Sequence, residues 1–189
     1  MNLSVLPLAS SVEEENCGVI TAEVREFLSG RAGRWPGVVF WADSRRRIRR
    51  FRGVIIKPNQ FEAVGWENPA THDEVPLDTL QAAVQRLRQQ NQAPVVATRG
   101  WRGMVVSDPQ STVVPGVQVE GPIDPTGAGD SASAGAVMGL CAGANLPEAA
   151  IVGNLVASIT VQQIATTGVA RPDQLPPRLR LWQQQLEAT

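Results

Sequence analysis

The chain has 189 residues, enough for one domain with a sizeable core, and 43% of them are hydrophobic and 19% charged. The formal net charge of -1 provides no global basic field and argues against a nucleic-acid-binding protein. No apolar run approaches transmembrane length, and no basic segment opens the chain as in a signal peptide. We therefore expect a cytoplasmic globular protein, with neither nucleic acid nor a membrane among its partners.

Histidine and cysteine are too scarce to dominate the chemistry. His72 is the only histidine, which excludes a multi-histidine metal site, and it lies in a polar loop. Cys17 and Cys141 are far apart and show no C-x-x-C spacing. Both are expected to be reduced thiols, and Cys141 has the character of a small core residue.

Helical and strand patterns alternate from the start of the chain. Apolar residues at helical spacing, among them Phe27 and Leu28, predict a helical segment within Gly18 to Ala32, with Thr21 as a candidate N-cap. The apolar run 37–43 then predicts a buried strand with Asp43 at its carboxyl end. This order of elements is the beginning of an α/β pattern.

The same design is repeated twice further along. Residues 53–59 predict a second buried strand, which cannot continue past Pro58, and residues 60–64 predict a short helix. Residues 77–90 form a clear amphipathic helical pattern, and residues 93–98 predict a third buried strand. Antiparallel strands are expected next, at 103–106 and 112–119. A helix after a Gly-rich turn and a second helix from Pro147 to about Ile164 should follow. A last helix is expected to reach Glu187, after Pro172, Pro176 and Pro177.

Strands that alternate with helices predict a parallel sheet covered on both faces, and such sheets bind ligands beyond the carboxyl ends of their strands. Asp43, Asn59, Thr98 and the Gly-rich turn all fall at strand ends or helix starts. The sequence therefore predicts one polar site at that edge of the sheet.

The Gly-rich turn spans residues 124–130, DPTGAGD, and a run of small residues follows it. Gly127 and Gly129 allow sharp turning or close approach of a ligand, and a helix start offers unpaired N–H groups to an anion. Asp130 lies just inside this helix. From its residue type alone, it is either a stabiliser of the helix N-terminus or a catalytic base beside a bound phosphate.

A second charged feature is a run of six arginines between residues 45 and 52, RRRIRRFR. It is interpretable as a phosphate-facing patch or as a solvated loop between two strands.

Three motifs in order resemble those of ribokinase-like (PfkB) carbohydrate kinases. Residues 124–137, DPTGAGDSASAGAV, resemble the family signature, residues 59–62, NQFE, its N-x-x-E motif, and residues 98–103, TRGWRG, its T-x-G-x-x-G motif. The resemblance implies an α/β, ribokinase-like three-layer fold with a mostly parallel central sheet. It also implies ATP-dependent phosphorylation of a sugar or sugar-phosphate hydroxyl, most similar to the heptose-phosphate kinase type.

The resemblance implies a role for each motif. Asp130 is the general base for the sugar hydroxyl, and backbone N–H groups of Gly127, Ala128 and Gly129 form the anion hole for the transferred phosphoryl group. The remaining implied ligands are Asn59 and Glu62 for Mg²⁺ through waters, Thr98, Gly100, Gly103 and Asn154 for the nucleotide, and Asp124 and Thr126 for a monovalent cation such as K⁺.

Two of these assignments have plainer alternatives. Asn59 and Glu62 are also interpretable as a helix cap and a surface charge, and Asn154 as a packing residue on an apolar helix. Trp101, inside the T-x-G-x-x-G motif, is the one tryptophan singled out for a test against adenine.

The resemblance begins only at about residue 17. Residues 1–16 match the family poorly, with Glu14-Glu15 where an Asp-Tyr pair is common, and residues 17–189 are expected to form a partial kinase domain without the lid and the first strands. A sheet cut in this way exposes an edge, so we expect a second copy of the chain or a missing N-terminal half as a partner. The alternative function is a catalytically inactive, nucleotide-binding remnant of a kinase.

Overall fold

The structure is a computed structural model that describes residues 6–10, 20–45, 47–166 and 168–188. Cys17, Arg46, Glu14-Glu15 and the predicted helix start at residues 18–19 lie outside these ranges. The chain divides into two compact units, one made of Met1–Thr98 and Val105–Thr112 and the other of Arg99–Met104 and Val113–Thr189. Each unit is described by itself below.

A parallel sheet is the centre of the first unit. Its strands run in the order β1-β2-β3, with bounds β1 Leu6–Ser10, β2 Phe40–Ser44 and β3 Ile55–Ile56. Parallel bridges Ile56↔Val95 and Asn59↔Thr98 place strand β4, Val96–Thr98, beside β3. The predicted parallel sheet is therefore confirmed, with shorter strands than the apolar runs suggested.

Strand β1 was not predicted from the sequence. It pairs with β2 along its whole length, from Leu6↔Phe40 to Ser10↔Ser44. It belongs to the segment 1–16 that matches the kinase family poorly. Five residues without a clear alternation or turn signal give a weak strand pattern, so only the pairing with β2 reveals this strand.

The helices of the first unit are α1 Ala22–Arg34, α2 Gln60–Val64 and α3 Leu77–Asn91. Thr21 caps α1 as predicted, because its hydroxyl accepts a hydrogen bond from the Val24 N–H at 3.4 Å. Leu28 is buried on α1, but Phe27, predicted on the same apolar face, is 57% exposed. The bounds of α2 agree with the prediction, and α3 is longer by one residue.

Strands β5 Met104–Val106 and β6 Thr112–Val114 form a second three-stranded sheet with β4, in the order β4-β5-β6. Strand β6 was expected to reach residue 119, and this prediction is wrong. The next residue, Pro115, has no N–H to donate to a ladder, and its carbonyl accepts from the Trp182 indole instead, at 2.9 Å.

Three helices dominate the second unit: α4 Ala128–Cys141, α5 Leu146–Thr160 and α6 Leu175–Glu187. The small residues of α4 bring it close to α5. A Cβ added at Gly135 would lie 2.8 Å from a methyl group of Val156, and one added at Gly153 would lie 2.8 Å from the Ala132 carbonyl.

Two helix ends differ from the prediction. Helix α5 begins at Leu146 because Asn145 caps it, and it ends at Thr160 rather than near residue 164. Pro176 and Pro177 were expected to precede the last helix, but they lie in its first turn, where a missing N–H costs no helical hydrogen bond. Among the described residues, no helix has the length and apolar character needed to cross a membrane.

Gly103 and Gly30 form a matched pair for testing the fold. Gly103 has φ +90°, and a Cβ there would collide with backbone atoms of Val114 and Gly116, whereas a Cβ at Gly30 in α1 meets no atom within 4 Å. We expect Gly103→Ala to lower the free energy of unfolding by about 3 kcal/mol or more. Gly30→Ala should raise it by about 0.5–1 kcal/mol, because alanine favours a helix interior. Urea unfolding measures both, and equal effects of the two substitutions would contradict the close approach at Gly103.

Candidate active site

The Gly-rich turn is shaped by its own backbone before helix α4 begins. Asp124 accepts a hydrogen bond from the Thr126 N–H at 2.9 Å, and the Ala128 N–H donates to the Pro125 carbonyl at 3.1 Å. Gly127 is the N-cap of α4 with φ +75°, a left-handed conformation that favours glycine. A Cβ at Gly127 would meet no atom within 4 Å. The turn therefore borders open space at the helix start.

Asp130 is the third residue of α4, and it is exposed to solvent. The 14-residue helix directs the positive end of its dipole toward this turn, a position that suits anions. The Ala128 N–H, one of the three predicted anion-hole donors, is occupied by the Pro125 carbonyl in this structure. An anion at the turn would have to share or replace that hydrogen bond.

Asp124 lies beside the loop that follows helix α5. Its N–H donates to the Val161 carbonyl at 2.7 Å. Hydrogen bonds from the Thr126 hydroxyl and N–H hold the pKa of Asp124 below its usual range, and the Ala165 backbone contributes further. Ala165 has φ +58°, which is rare for a residue with a side chain. The structure thus brings Asp124, Thr126 and Ala165 together.

Asn59 and Glu62 form a capping box at the start of α2 in the first unit. The Asn59 side-chain oxygen accepts from the Phe61 and Glu62 N–H groups, both at 2.9 Å, and the Glu62 carboxylate accepts from the Asn59 N–H at 2.7 Å. Asn59 is therefore the helix cap that the plainer interpretation expected. Glu62 is not the expected surface charge, because it is partly buried.

An ion pair that sequence reasoning missed lies beside this box. Lys57 is buried, and its ammonium group is 2.7 Å from the Asp43 carboxylate. Burial, helped by the charge of Asp43, raises the pKa of Glu62 to about 7 against the lowering effects of the Asn59 N–H, Lys57 and Arg45. The sequence signal that could have indicated this buried ion pair is the position of Lys57, directly after an apolar strand and before Pro58.

Thr98 joins the same edge of the first unit. It forms a parallel bridge with Asn59, and its N–H donates to the Pro58 carbonyl at 3.0 Å. Asp43, Asn59 and Thr98, which the sequence places at strand ends or a helix start, therefore lie in one unit along neighbouring strands, whereas the Gly-rich turn belongs to the second unit. The predicted polar site at the carboxyl edge of the sheet has this structural basis.

The glycines of the T-x-G-x-x-G motif, in the second unit, differ in their surroundings. Gly100 has φ +57° and open space at its Cβ position, whereas Gly103 is held against the backbone of residues 114–116. Between them Trp101 is 61% exposed, and the Arg102 guanidinium lies 4.3 Å from its ring centroid. Gly100 and Trp101 are therefore accessible to a ligand. The close backbone contacts of Gly103 indicate that this glycine is needed for the fold of the loop.

Asn154 is buried within the second unit. Its side-chain amide donates to the carbonyls of Val114, at 3.3 Å, and Pro115, at 3.0 Å. These bonds tie α5 to the last residue of β6 and to the residue that follows it. This geometry favours the packing alternative for Asn154, and a contact with the nucleotide stays a prediction.

The family follows from the sequence of this site and its surroundings. The model of the pfkB family carbohydrate kinases matches residues 40–173, which include all three motifs. The chain belongs to the pfkB family of carbohydrate kinases. The match begins at β2, so strand β1 and helix α1 lie outside it.

Relatives of this pfkB family chain are longer than it is. It is 30% identical over 151 residues to the bifunctional protein HldE of Shewanella baltica, covering 78% of this chain and 30% of that protein. Two solved structures share the fold: ribokinase from Thermotoga maritima, with TM-score 0.63 and 17% identity, and phosphofructokinase-2 from Escherichia coli in complex with potassium, with TM-score 0.64 and 20% identity. The matches cover 86% and 85% of this chain, and 62% and 52% of those chains. The predicted ribokinase-like fold is confirmed.

The raised pKa of Glu62 predicts a pH-dependent stability. The folded state holds this proton up to about pH 7, whereas an ordinary glutamate releases it near 4.5, so the contribution is complete below pH 4.5 and is lost as the pH rises to 7. Glu62→Gln keeps an oxygen for the Asn59 N–H and removes the charge. We expect the variant to exceed wild type by about 1–2 kcal/mol at pH 8 and to lack this slope. Urea unfolding at pH 5 and 8 measures it, and parallel pH profiles would contradict the assignment.

Proposed function

We propose that this chain is the catalytic and nucleotide-binding part of an ATP-dependent carbohydrate kinase. The observation that carries the proposal is the left-handed Gly127 at the start of α4 with Asp130 two residues inside the helix. A helix start with an open approach and a carboxylate combines anion binding with proton acceptance. Phosphoryl transfer requires mainly positioning and charge stabilisation, and this turn supplies both.

Asp130 is the general base in this proposal and accepts the proton of the sugar hydroxyl. Backbone N–H groups of Gly127, Ala128 and Gly129 stabilise negative charge that develops on the transferred group. For Ala128, this requires its N–H to turn from the Pro125 carbonyl. ATP, when bound, supplies the phosphoryl group.

Asn59 and Glu62 fit a water-mediated Mg²⁺ site. Both offer oxygen atoms, and burial of Glu62 makes its carboxylate a group that gains from a nearby cation. No group of three or more His, Cys, Asp or Glu residues gathers among the described residues, which agrees with an ion that keeps most of its waters. The capping box would orient both side chains toward their ligand waters.

We further assign residues to the nucleotide and to a monovalent cation. We assign the nucleotide phosphates to Thr98, Gly100 and Gly103, and keep Asn154 as a candidate near the base. Asp124 and Thr126 are the candidates for K⁺, supported by the lowered pKa of Asp124. The similar phosphofructokinase-2 from Escherichia coli was solved in complex with potassium.

The acceptor is a sugar or sugar phosphate, and the heptose-phosphate type stays a prediction. The chain spans 30% of the length of its HldE relative and about half to three-fifths of the solved kinases. We keep the division into residues 1–16 and a partial kinase domain 17–189, with a second copy or further chain as partner. The second candidate function is that of a nucleotide-binding remnant without catalysis.

Asp130 is tested against a control at the same helix position. Glu148 is the third residue of α5 as Asp130 is of α4, so both carboxylates lie where the helix dipole favours negative charge. We expect Asp130→Asn to reduce ATP turnover on a sugar panel by about 10²–10⁴ without loss of ATP binding. Glu148→Gln should leave turnover unchanged.

The outcomes separate the two candidates. ATP binding by calorimetry without turnover on any sugar would favour the inactive remnant. Equal losses of turnover in both variants would show that Asp130 acts only on helix stability, which removes it as the base.

The metal assignment is tested with the two capping boxes of the chain. Glu62→Gln and Glu148→Gln both keep the hydrogen bond to the asparagine N–H, at α2 and α5 respectively. We expect Glu62→Gln to raise the Mg²⁺ concentration for half-maximal ATP binding about tenfold, and Glu148→Gln to leave it unchanged. Below pH 7, wild type should also need more Mg²⁺, because protons compete for the Glu62 carboxylate. An unchanged Mg²⁺ requirement in Glu62→Gln would exclude Glu62 from the metal site.

A further inference from the structure

An arginine-rich pocket lies in the first unit, outside the residues assigned to the kinase site. Helix α1 and the segment after β2 enclose about 450 Å³. Its lining consists of Ala22, Arg25, Glu26, Ser29, Arg50 and Arg52. Two of these arginines belong to the run 45–52, which no step of the proposed kinase reaction uses.

The charge of the pocket is unbalanced. Three arginines and one glutamate give the lining a formal net charge of +2. Among the described residues, no ion pair joins Arg25, Arg50 or Arg52 to a carboxylate. The nearby Glu23 has a pKa lowered mainly by its hydrogen bond with Thr21, and Arg25 contributes less. An anion in the pocket would therefore relieve repulsion that the described residues of the lining leave uncompensated.

Two of the arginines are held in place by the backbone. The Arg25 Nη1 group donates to the Ile20 carbonyl at 2.9 Å. The Arg52 Nη1 group donates to the carbonyls of Arg49, at 2.8 Å, and Phe51, at 2.6 Å. A guanidinium group has five N–H donors, so each retains donors for a ligand. Side chains fixed beforehand lose less entropy when a ligand binds.

Two further features of the pocket favour an oxyanion. Ser29 contributes a hydroxyl group that can donate a hydrogen bond. Ala22 is the first residue of the 13-residue helix α1, where the helix dipole is positive. These features add to the three guanidinium groups, whose planar forks match phosphate oxygens.

We propose that this pocket binds the phosphate group of a small phosphate monoester. A monoester carries close to two negative charges at neutral pH, which matches the net charge of the lining. The pocket is concave and small, and the net charge of the chain is -1, so a small molecule fits better than a nucleic acid. The site is independent of the proposed kinase function, because it contains none of the residues assigned there.

The test follows arginine side chains directly by NMR. Inorganic phosphate is titrated into the full chain at constant ionic strength, and the Nε–H resonances of Arg25, Arg50 and Arg52 are assigned by single substitutions. We expect these resonances to shift and saturate at phosphate concentrations on the order of 10 mM or below. Because each resonance belongs to one arginine of the pocket, its shift distinguishes phosphate bound in the pocket from phosphate bound at the Gly127 turn.

Substitutions of the arginines test how much each side chain contributes to the affinity for phosphate. Arg50→Gln and Arg52→Gln should each weaken phosphate binding at the remaining arginines about tenfold. Arg86→Gln, an exposed arginine of α3 outside the pocket, should have no effect. Thermal unfolding of each variant should match wild type, so that lost binding is not lost folding. Absence of shifts, or equal weakening by Arg86→Gln, overturns the proposal.

Other probes identify the ligand class. Glycerol 3-phosphate should bind at least as tightly as inorganic phosphate, and both should bind more weakly below pH 6, where the second charge is lost. An RNA oligonucleotide that binds the same arginines more tightly, with a steep dependence on salt, would overturn the small-molecule assignment in favour of a nucleic-acid surface.

Discussion

The ion pair between Lys57 and Asp43 is the interaction on which the polar edge of the first unit depends. The Lys57 side chain is 6% exposed and that of Asp43 is 23% exposed, with 2.7 Å between their charged atoms. A buried ammonium group without a partner would be strongly destabilising, so the pair requires both residues. Because Asp43 lies in β2 and Lys57 directly follows β3, the pair joins neighbouring strands at their carboxyl ends.

The short helix α2 begins at this edge and shows how tertiary structure changes a local motif. Five residues are too few for an independently stable helix, so α2 relies on its cap and on packing, with Ala63 buried. The boxes Asn59–Glu62 and Asn145–Glu148 share the two reciprocal hydrogen bonds between asparagine and glutamate. Glu148 is exposed, whereas Glu62 is partly buried near three charged neighbours. The same sequence pattern therefore serves as a plain cap in one helix and as a candidate metal site in the other.

The second unit presents its candidate chemistry in the opposite way, on an exposed surface. Gly127 and Asp130 stand at an open helix start, while the interior of the unit is occupied by the close packing of α4 on α5. Such packing fixes the direction of α4 and therefore the position of its first turn. A rigid helix behind an accessible turn is the arrangement that preorganised charge stabilisation requires.

The sequence by itself determined the features that arise within a few residues: the Thr21 cap, the bounds of α2, the glycine turn before α4 and the membership of a kinase family. Hydrogen bonds and steric limits of this kind act between near neighbours, so residue types and spacing reveal them. Tertiary structure alone decided that Phe27 is exposed, that Asn154 ties α5 to the backbone after β6, and that the Glu62 carboxylate is partly removed from water. Burial and charge at a residue depend on segments far away in the chain, and no local pattern records which of them will come close.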